Sequence, residues 1–494
     1  MENTTSIYAK QNPKIRQIFE QAGSPAKLLC GAIDYAKAQH VVLFCNGFGD
    51  ILKKSFAIAN SPEGLKTLLE ELGSTCAHRG IKDQHVFFGG EDKPSYAQNF
   101  IQALTDKGYL VVWVNAWEAK QQRDNHQAST DELDVRAIAK ALLNKASYCE
   151  EDQSKTILAL KELSRKRSHF VILSSEQKLQ IHHQASRLFP QFLNQQKSGV
   201  VPFSRASLAL MSEGLCPERI RRWRCKDLSK FLDRHGQEQS EQTAEKLKAL
   251  ADQVLAPCVQ MIDCWQAALG QHVLQYQSLS QSVSALEKQL ARSLAKTPGA
   301  LLTSISGIGV VLASGILSEV GSPSAWGPLR SVCSYVGIVP RTNQTGGPDK
   351  PAQSSTVQRR CNRRAKNWVI QAANLIGQCG PAELKTQHQK LLLNGQHADF
   401  VMGKRLLRIC KDLMRRGTVY RPKPLLAQDT PASELSAYYL ALWDRLLDKW
   451  KGLIEWEELF NPLHPLGQWR QLAQELYKIS LPLPNKKAKK ARQS

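Results

Sequence analysis

From Leu28 to Asn60 apolar and polar positions alternate, with an apolar run at Val41-Val42-Leu43-Phe44-Cys45, a turn signal at Asn46-Gly47 and an apolar return from Ile51 to Ala59. A period of two on either side of a turn dipeptide predicts two or three antiparallel strands. Ser61-Pro62-Glu63 then predicts a helix through Leu72, because a hydroxyl suited to capping precedes proline at the first helical position. His85 to Gly89 reads as a short strand, Tyr96 to Lys107 as a helix and Leu110 to Val114 as a fully apolar strand. Strands that are first antiparallel and then alternate with helices predict a mixed sheet covered by helices. The segment 128–145 places Leu133, Ala137, Ile138, Ala141 and Leu142 at helical spacing, which predicts an amphipathic helix.

Beyond residue 150 the pattern is helical almost without interruption to 297. Tyr276, Leu279, Val283, Leu286 and Leu290 alternate three- and four-residue steps, a heptad seam that suits either a coiled coil or an ordinary core-facing helix. Glycine punctuation returns at Ser306-Gly307-Ile308-Gly309 and between Gly337 and Gly347. Helical spacing resumes from Arg360 to about Gly417, and Pro422, Pro424 and Pro431 mark a boundary before a last helical segment. The expected domains are an α/β catalytic domain (1–148), a helical linker and coiled-coil region (149–297), a mostly α-helical domain with the glycine turn (298–422) and a helical extension with a basic tail (423–494).

Composition narrows the class. The 494 residues are 42% hydrophobic, which excludes collagen-like and wholly disordered chains. No apolar stretch reaches the 18 residues of a membrane span, and the first 20 residues are polar, so a cytoplasmic, nucleoid-associated protein is expected. The 12 cysteines form no C-x-x-C pair and read as reduced, mostly buried thiols. His182-His183 has no partner at zinc-ligand spacing, and Trp223, among Arg221, Arg222 and Arg224, reads as a packing residue before a base-stacking one.

Charge is unevenly placed. Residues 1–150 carry 17 Lys and Arg against 17 Asp and Glu, so the whole surplus of +22 belongs to the remainder. Between Arg359 and Arg416 stand 13 basic residues against Glu383, Asp399 and Asp412. A solvated face usually mixes both signs, so this density predicts a polyanion partner. Lys486, Lys487, Lys489, Lys490 and Arg492 form a basic tail suited to non-specific phosphate contact.

In the charge-balanced first domain four acids stand out. Asp34 ends the apolar run Leu28 to Ile33, and Glu91 follows the strand His85 to Gly89. Asp131 and Asp134 lie three apart, hence on one helix face. Converging carboxylates suit hard divalent cations, and two such ions would clamp the attacking and leaving oxygens of a phosphodiester. Asp131 and Asp134 are equally accounted for as acids at a helix N-terminus.

The wording around them carries more. Ala32-Ile33-Asp34-Tyr35-Ala36-Lys37, Ile58 to Leu65, Gly90-Glu91 with Tyr96, Gly108 to Asn115 and Thr130 to Ala139 resemble, in order and spacing, the DEDD domain of family 110 insertion-sequence transposases, relatives of the pilin-gene inversion recombinases. The resemblance implies a ribonuclease H-like, RuvC-type fold whose four acids, here Asp34, Glu91, Asp131 and Asp134, bind Mg²⁺ or Mn²⁺. Lys93-Pro94 stand where the family usually has Thr-Gly.

The second half resembles the family's C-terminal transposase domain. Gly307-Ile308-Gly309 matches its PGIG turn with Ser306 for Pro, Tyr335 to Arg341 its GLVPR segment, and Arg360-Cys361-Asn362-Arg363-Arg364 its KRGN segment with Cys361 for Gly. Glycines before a helix bring free amides to a phosphate, although a tight interhelical turn explains so short a motif equally well. Gly307, Gly309, Arg341, Arg359, Arg360, Arg363, Arg364 and Lys366 are the expected nucleic-acid contacts. The family's nucleophilic serine falls on Thr345, whose β-branch crowds the approach. Either Thr345 is the nucleophile, Ser354 or Ser355 replaces it, or strand exchange is lost. The resemblance implies a transposase that cleaves and rejoins DNA, guided by a structured bridging RNA and working as a dimer or tetramer. The alternatives are a metal-dependent junction-resolving nuclease and an inactive nucleic-acid-binding relative.

Overall fold

The computed structural model describes residues 12–484, except 92–95, 125–129, 145–146, 149–154, 324–325, 344–352, 358–360 and 427–429. The chain divides into two units, Met1–Asp152 and Gln153–Ser494.

In the first unit, helix α1 (Pro13–Ala22) is capped by Asn12, whose side chain accepts from the amides of Lys14 and Ile15. Strands β1 (Leu29–Asp34), β2 (Gln39–Asn46) and β3 (Ile51–Ala59) run antiparallel in sequence, as the alternation predicts. Asn46 builds the β2–β3 turn, its Oδ1 accepting from the amides of Phe48 and Asp50 at 3.0 and 2.9 Å. Helix α2 (Pro62–Arg79) begins where predicted, with Ser61 Oγ accepting from Gly64 N, but continues beyond Leu72 until Gly80 adopts φ +61°.

Strand β4 (Val86–Glu91), helix α3 (Gln98–Asp106), strand β5 (Leu110–Val114), helix α4 (Ala116–Gln121), helix α5 (Asp131–Leu143) and the short β6 (Ser147–Tyr148) complete the unit. The strand order is β3-β2-β1-β4-β5-β6, with β4 parallel to β1 and β5, and β2 antiparallel to its neighbours. A mixed sheet in this order fits a ribonuclease H-like domain. One face packs on α2 and α3 through Leu29, Ile33, Phe44, Phe88 and Trp113. The other packs on α1 and α5 through Cys30, Ala32, Phe87, Val112 and Val114.

The second unit is mostly helical. Helices α6 (Lys155–Leu188) and α12 (Val259–Ala295) lie antiparallel, since Arg167 pairs with Glu287 while Gln177 bonds His272. The heptad seam is thus spent within the chain, against α6. Between them α7 (Gln195–Ser198), α8 (Arg205–Gly214), α9 (Pro217–Arg222), α10 (Cys225–Arg234) and α11 (Ser240–Gln253) close a separate core around Phe189, Met211, Leu228 and Leu247. Trp223 packs here, edge-on to Phe231 at 5.2 Å.

A 3₁₀ turn (Pro298–Ser304) leads into α13 (Val310–Val320), followed by α14 (Leu329–Val336), the hairpin β7 (Pro340–Asn343) and β8 (Gln353–Val357), α15 (Arg363–Cys379), α16 (Ala382–Leu393), α17 (Ala398–Arg416), α18 (Ala432–Trp450), α19 (Trp456–Leu459) and α20 (Pro465–Tyr477). The single helical stretch expected from Arg360 to Gly417 is therefore three helices, broken at Gly380 and Gly395. Helix α13 is mostly apolar and buried along nearly its whole length, the centre of one core that runs from Ile157 to Leu481. The segment after Gly417 belongs to that core: Tyr420 N donates to Ser304 Oγ, Trp450 Nε1 to Thr303 Oγ1, and Lys449 Nζ to the carbonyls of Thr303 and Ile305.

The eleven described cysteines are all free thiols; six are buried and two half-buried, while Cys258, Cys264 and Cys379 are exposed. No described helix is long and apolar enough to cross a membrane.

Candidate active site and nucleic-acid face

The last paired residues of β1 and β4 are Ile33 and Gly90, which leaves Asp34 and Glu91 one step beyond, side by side at the C-terminal ends of neighbouring parallel strands. Strands lie about 4.8 Å apart, so the two carboxylates start from adjacent backbone positions. By alternation Asp34 shares the face of Cys30 and Ala32, and Glu91 that of Phe87 and Gly89. That is the face covered by α5, where a Cβ on Gly89 would meet Leu142 at 2.4 Å. Asp34 is only 7% exposed, and Glu91 is half-buried.

The close pairing depends on Gly90. A Cβ there would stand 2.3 Å from the carbonyl oxygen of Ile33 and 2.4 Å from the ring of Tyr35, the buried residue after Asp34. Any side chain at this position would push the two strand ends apart.

Helix α5 starts at Asp131, with Thr130 Oγ1 accepting from Leu133 N. Its C-terminal residues lie against the sheet, Leu143 near Gly49 of the β2–β3 turn and Leu142 near Gly89 of β4. Asp131 is exposed at that N-terminus. Asp134 is mostly covered and pairs with Arg123 Nη2 at 2.5 Å, while Lys140 pairs with Asp124 one turn and a half farther on. Among the described residues no three His, Cys, Asp or Glu side chains stand close enough to hold a metal ion. Asp34 and Glu91 thus stand on adjacent strand ends, while Asp134 on α5 is turned to a guanidinium.

The second unit carries the other expected residues. Thr345, Arg359 and Arg360 lie outside the described residues; Thr345 falls in the connection between β7 and β8, Ser354 and Ser355 are on β8, and Arg341 is on β7. Gly307 adopts φ +88°, where a Cβ would crowd the backbone of Leu375 at 3.2 Å, so the turn requires glycine. Gly309 is the N-cap of α13 and would meet nothing on gaining a Cβ.

Asn362 caps α15, its Oδ1 accepting from the amides of Arg364 and Ala365. Arg363 and Arg364 are exposed in the first turn, which holds no acidic residue. Cations at the positive end of a helix dipole oppose it, an arrangement that an incoming phosphate relieves. Lys366 sits over the ring of Phe400, 5.2 Å from its centre.

Behind this helix start lies a network the sequence reading missed. Arg165 on α6 grips Glu319 on α13 through two hydrogen bonds, and Asn362 Nδ2 donates to Glu319 Oε2 at 3.0 Å and lies 2.7 Å from the Tyr335 hydroxyl. Asn362 N also donates to Tyr335 O. Tyr335 precedes the β7–β8 hairpin and Asn362 follows it, so the two residues clasp its base. Glu319 was legible only as a lone acid in an otherwise apolar helical run, which demands a partner without naming one.

Two family matches bear on this arrangement. The DEDD transposase family of IS110 matches residues 31–190, and the transposase family IS116/IS110/IS902 matches residues 299–389. Together they span just over half of the chain, in the expected order. The chain belongs to the IS110 transposases. As a member of that family it is a DNA transposase, an enzyme of insertion-sequence transposition, and its DEDD domain implies dependence on a divalent metal. No curated protein matches the chain closely enough to count as a relative.

Proposed function

We infer that this IS110 transposase cuts and rejoins DNA with Asp34, Glu91, Asp131 and Asp134 as its metal-binding acids and Thr345 as its nucleophile. The observation that carries the reading is the adjacency of Asp34 and Glu91 on neighbouring strand ends, with two more acids in the first turn of α5. Four oxygen donors and no nitrogen or sulfur suit Mg²⁺ or Mn²⁺, and the pairing of Asp134 with Arg123 marks the first turn of α5 as a place that draws positive charge. A bound ion there would polarise the phosphoryl oxygens and neutralise the charge of the reacting phosphodiester.

The residues of the chain do the rest. The Thr345 hydroxyl oxygen forms a bond to phosphorus as the bond to the departing sugar oxygen breaks, and the proton given up by the hydroxyl is matched by the one the sugar oxygen takes. Rejoining reverses the exchange with the hydroxyl of another strand. Gly307, Gly309, Arg341, Arg359, Arg360, Arg363, Arg364 and Lys366 hold the backbone by charge and free amides. Sequence choice then falls to a bridging RNA that pairs with donor and target, since phosphate contacts position a strand without reading it. The ribonuclease H-like domain is of the RuvC type in this reading, the protein acts as a dimer or tetramer, and it works at the nucleoid.

The test is trapping of a protein–DNA adduct on nicked substrate with Mg²⁺ or Mn²⁺. Wild type gives an adduct that Thr345→Ala abolishes, and Asp34→Asn gives none. Cleavage without an adduct, unchanged in Thr345→Ala, would make the protein a hydrolytic nuclease instead.

A further inference from the structure

One described cavity lies apart from the residues above. It opens between α16, α17 and the segment 418–426, has a volume of about 620 Å³, and has only Glu383 and Gln387 inside the stretch matched to the transposase family. Lys404, Arg408 and Arg416 lie on one stripe of α17 at four-residue multiples, with Arg405 beside them and Arg421 across the cleft. Four residues of helix advance about 6 Å, so Lys404 and Arg408 present successive charges at a regular step.

Those cations are uncommitted. Among the described residues none of Lys404, Arg405, Arg408, Arg416 and Arg421 takes part in an ion pair. Of the two acids in the lining, Glu383 is already held by the Tyr420 hydroxyl at 2.5 Å and the Lys423 amide at 3.2 Å, which leaves Asp412 as the one counter-charge within the stripe. Repulsion among five cations is a standing cost unless an anion is present to offset it.

The walls differ in character from the rim. Leu413, Val419 and Tyr420 are buried and apolar, and Gln387 lines the cleft beside them. Cations at phosphate reach over apolar walls together describe a nucleotide of a single strand, with its base inward and its backbone along α17. A cleft of this volume takes a group of nucleotide size and is too narrow for a double helix.

We propose that this cleft is a binding site for unpaired nucleic-acid strand, which seats one base against Leu413, Tyr420 and Gln387 and the flanking phosphates on Lys404, Arg408 and Arg416. The proposal rests on the reading of the protein as a nucleic-acid recombinase and adds to it a second strand-binding site, on the second unit. An extruded DNA strand and an unpaired stretch of RNA share this chemistry.

The test uses the full-length protein and end-labelled 12-nucleotide strands of one sequence as DNA, as RNA, as DNA duplex and as DNA lacking its bases. Exposed Arg408 and Arg416 can be replaced without opening the core. Arg408→Ala/Arg416→Ala is expected to weaken single-strand binding at least tenfold and to flatten the dependence of log Kd on log salt by about 1.4, the share of two phosphate contacts, with duplex binding changed less than threefold. Gln387→Leu is expected to erase the preference for base-bearing over base-free strand with the salt slope intact. The arm that loses more, DNA or RNA, names the natural occupant. Equal losses on strand and duplex, or none on either, would reduce the cleft to a general charged surface and overturn the proposal. Cleavage measured with Asp131→Ala separates the two readings: if the cleft variants bind normally while Asp131→Ala is inactive, the cleft fails and the recombinase stands. Should Asp131→Ala cleave as wild type, the assignment of the acids fails whatever the cleft does.

Discussion

Arg165 closes on Glu319 with both arms of its guanidinium, Nε to Oε1 at 2.8 Å and Nη2 to Oε2 at 3.1 Å, although 154 residues separate them in sequence. The Glu319 side chain is 1% exposed and Arg165 30%, so the pair joins the long helix α6 to the most buried helix of the second unit. Burial pushes the Glu319 carboxyl up, but the Arg165 and Asn362 hydrogen bonds outweigh it and hold the group below the usual carboxylate range.

That balance fixes a pH dependence. A carboxyl whose folded pKa lies below its unfolded value binds fewer protons when folded. It therefore contributes stability above about pH 4.3, and the contribution is lost as pH falls through the lower folded value. Acid unfolding followed by circular dichroism should show wild type losing more stability than Glu319→Gln across this window.

Breaking the pair from one side is expected to cost more than removing both. Glu319→Ala leaves Arg165 and Asn362 facing an empty site and should destabilise the protein by about 3–5 kcal/mol, whereas Arg165→Met with Glu319→Leu should recover part of that loss. Chemical denaturation of wild type, Arg165→Met, Glu319→Leu and the double variant measures the coupling. Since Asn362 clasps the base of the hairpin, adduct formation should fall further than DNA affinity in Glu319→Ala.

Asp134 has to leave Arg123 before it can hold a cation. Arg123→Ala is accordingly expected to tighten Mn²⁺ binding severalfold, read by calorimetry, while Asp34→Asn or Glu91→Gln weakens it at least tenfold. Tighter binding in neither variant of Arg123, Ala or Gln, would mean that Asp134 takes no part in the site.

Gly90→Ala tests the spacing of the strand ends. The added methyl collides with the Ile33 carbonyl and the Tyr35 ring, so cleavage should drop at least a hundredfold even where thermal melting shows a folded protein.

At Thr345, substitution by serine keeps the hydroxyl and removes the β-branch. Thr345→Ser should raise the rate of adduct formation relative to wild type, and Thr345→Ala should abolish it, in a gel assay of labelled DNA.

Much of the first unit was legible because period and punctuation agree there. Alternation, Asn46-Gly47 and Ser61-Pro62 each fix one local conformation, and Asp34 and Glu91 could be placed at strand ends from the apolar runs before them. What stayed hidden depends on pairings distant in sequence. The heptad seam of α12 announces a partner without saying that it is α6, and the lone Glu319 announces one without naming Arg165. Arg123 gave no signal at all, as an exposed-looking arginine in a polar stretch. The prolines after Gly417 read as a domain boundary, yet Tyr420, Lys449 and Trp450 hydrogen-bond the 3₁₀ turn, because proline reports a break in the helix and not a break in the core.

The paired helices α6 and α12 have one end rooted among Leu160, Leu290 and Leu294 and the other in the core around Phe189 and Met211. In between, their facing side chains are at most half-covered, and the Arg167–Glu287 and Gln177–His272 contacts join the two helices there. A rod of some 34 residues is about 50 Å long, and a tilt of about 10° at its root swings the far tip by about 9 Å. The small helical knob at that tip is thereby mounted on a lever: modest adjustments beside Arg165 and Glu319 become large excursions at its end, and a contact made there can be felt at the foot of the hairpin.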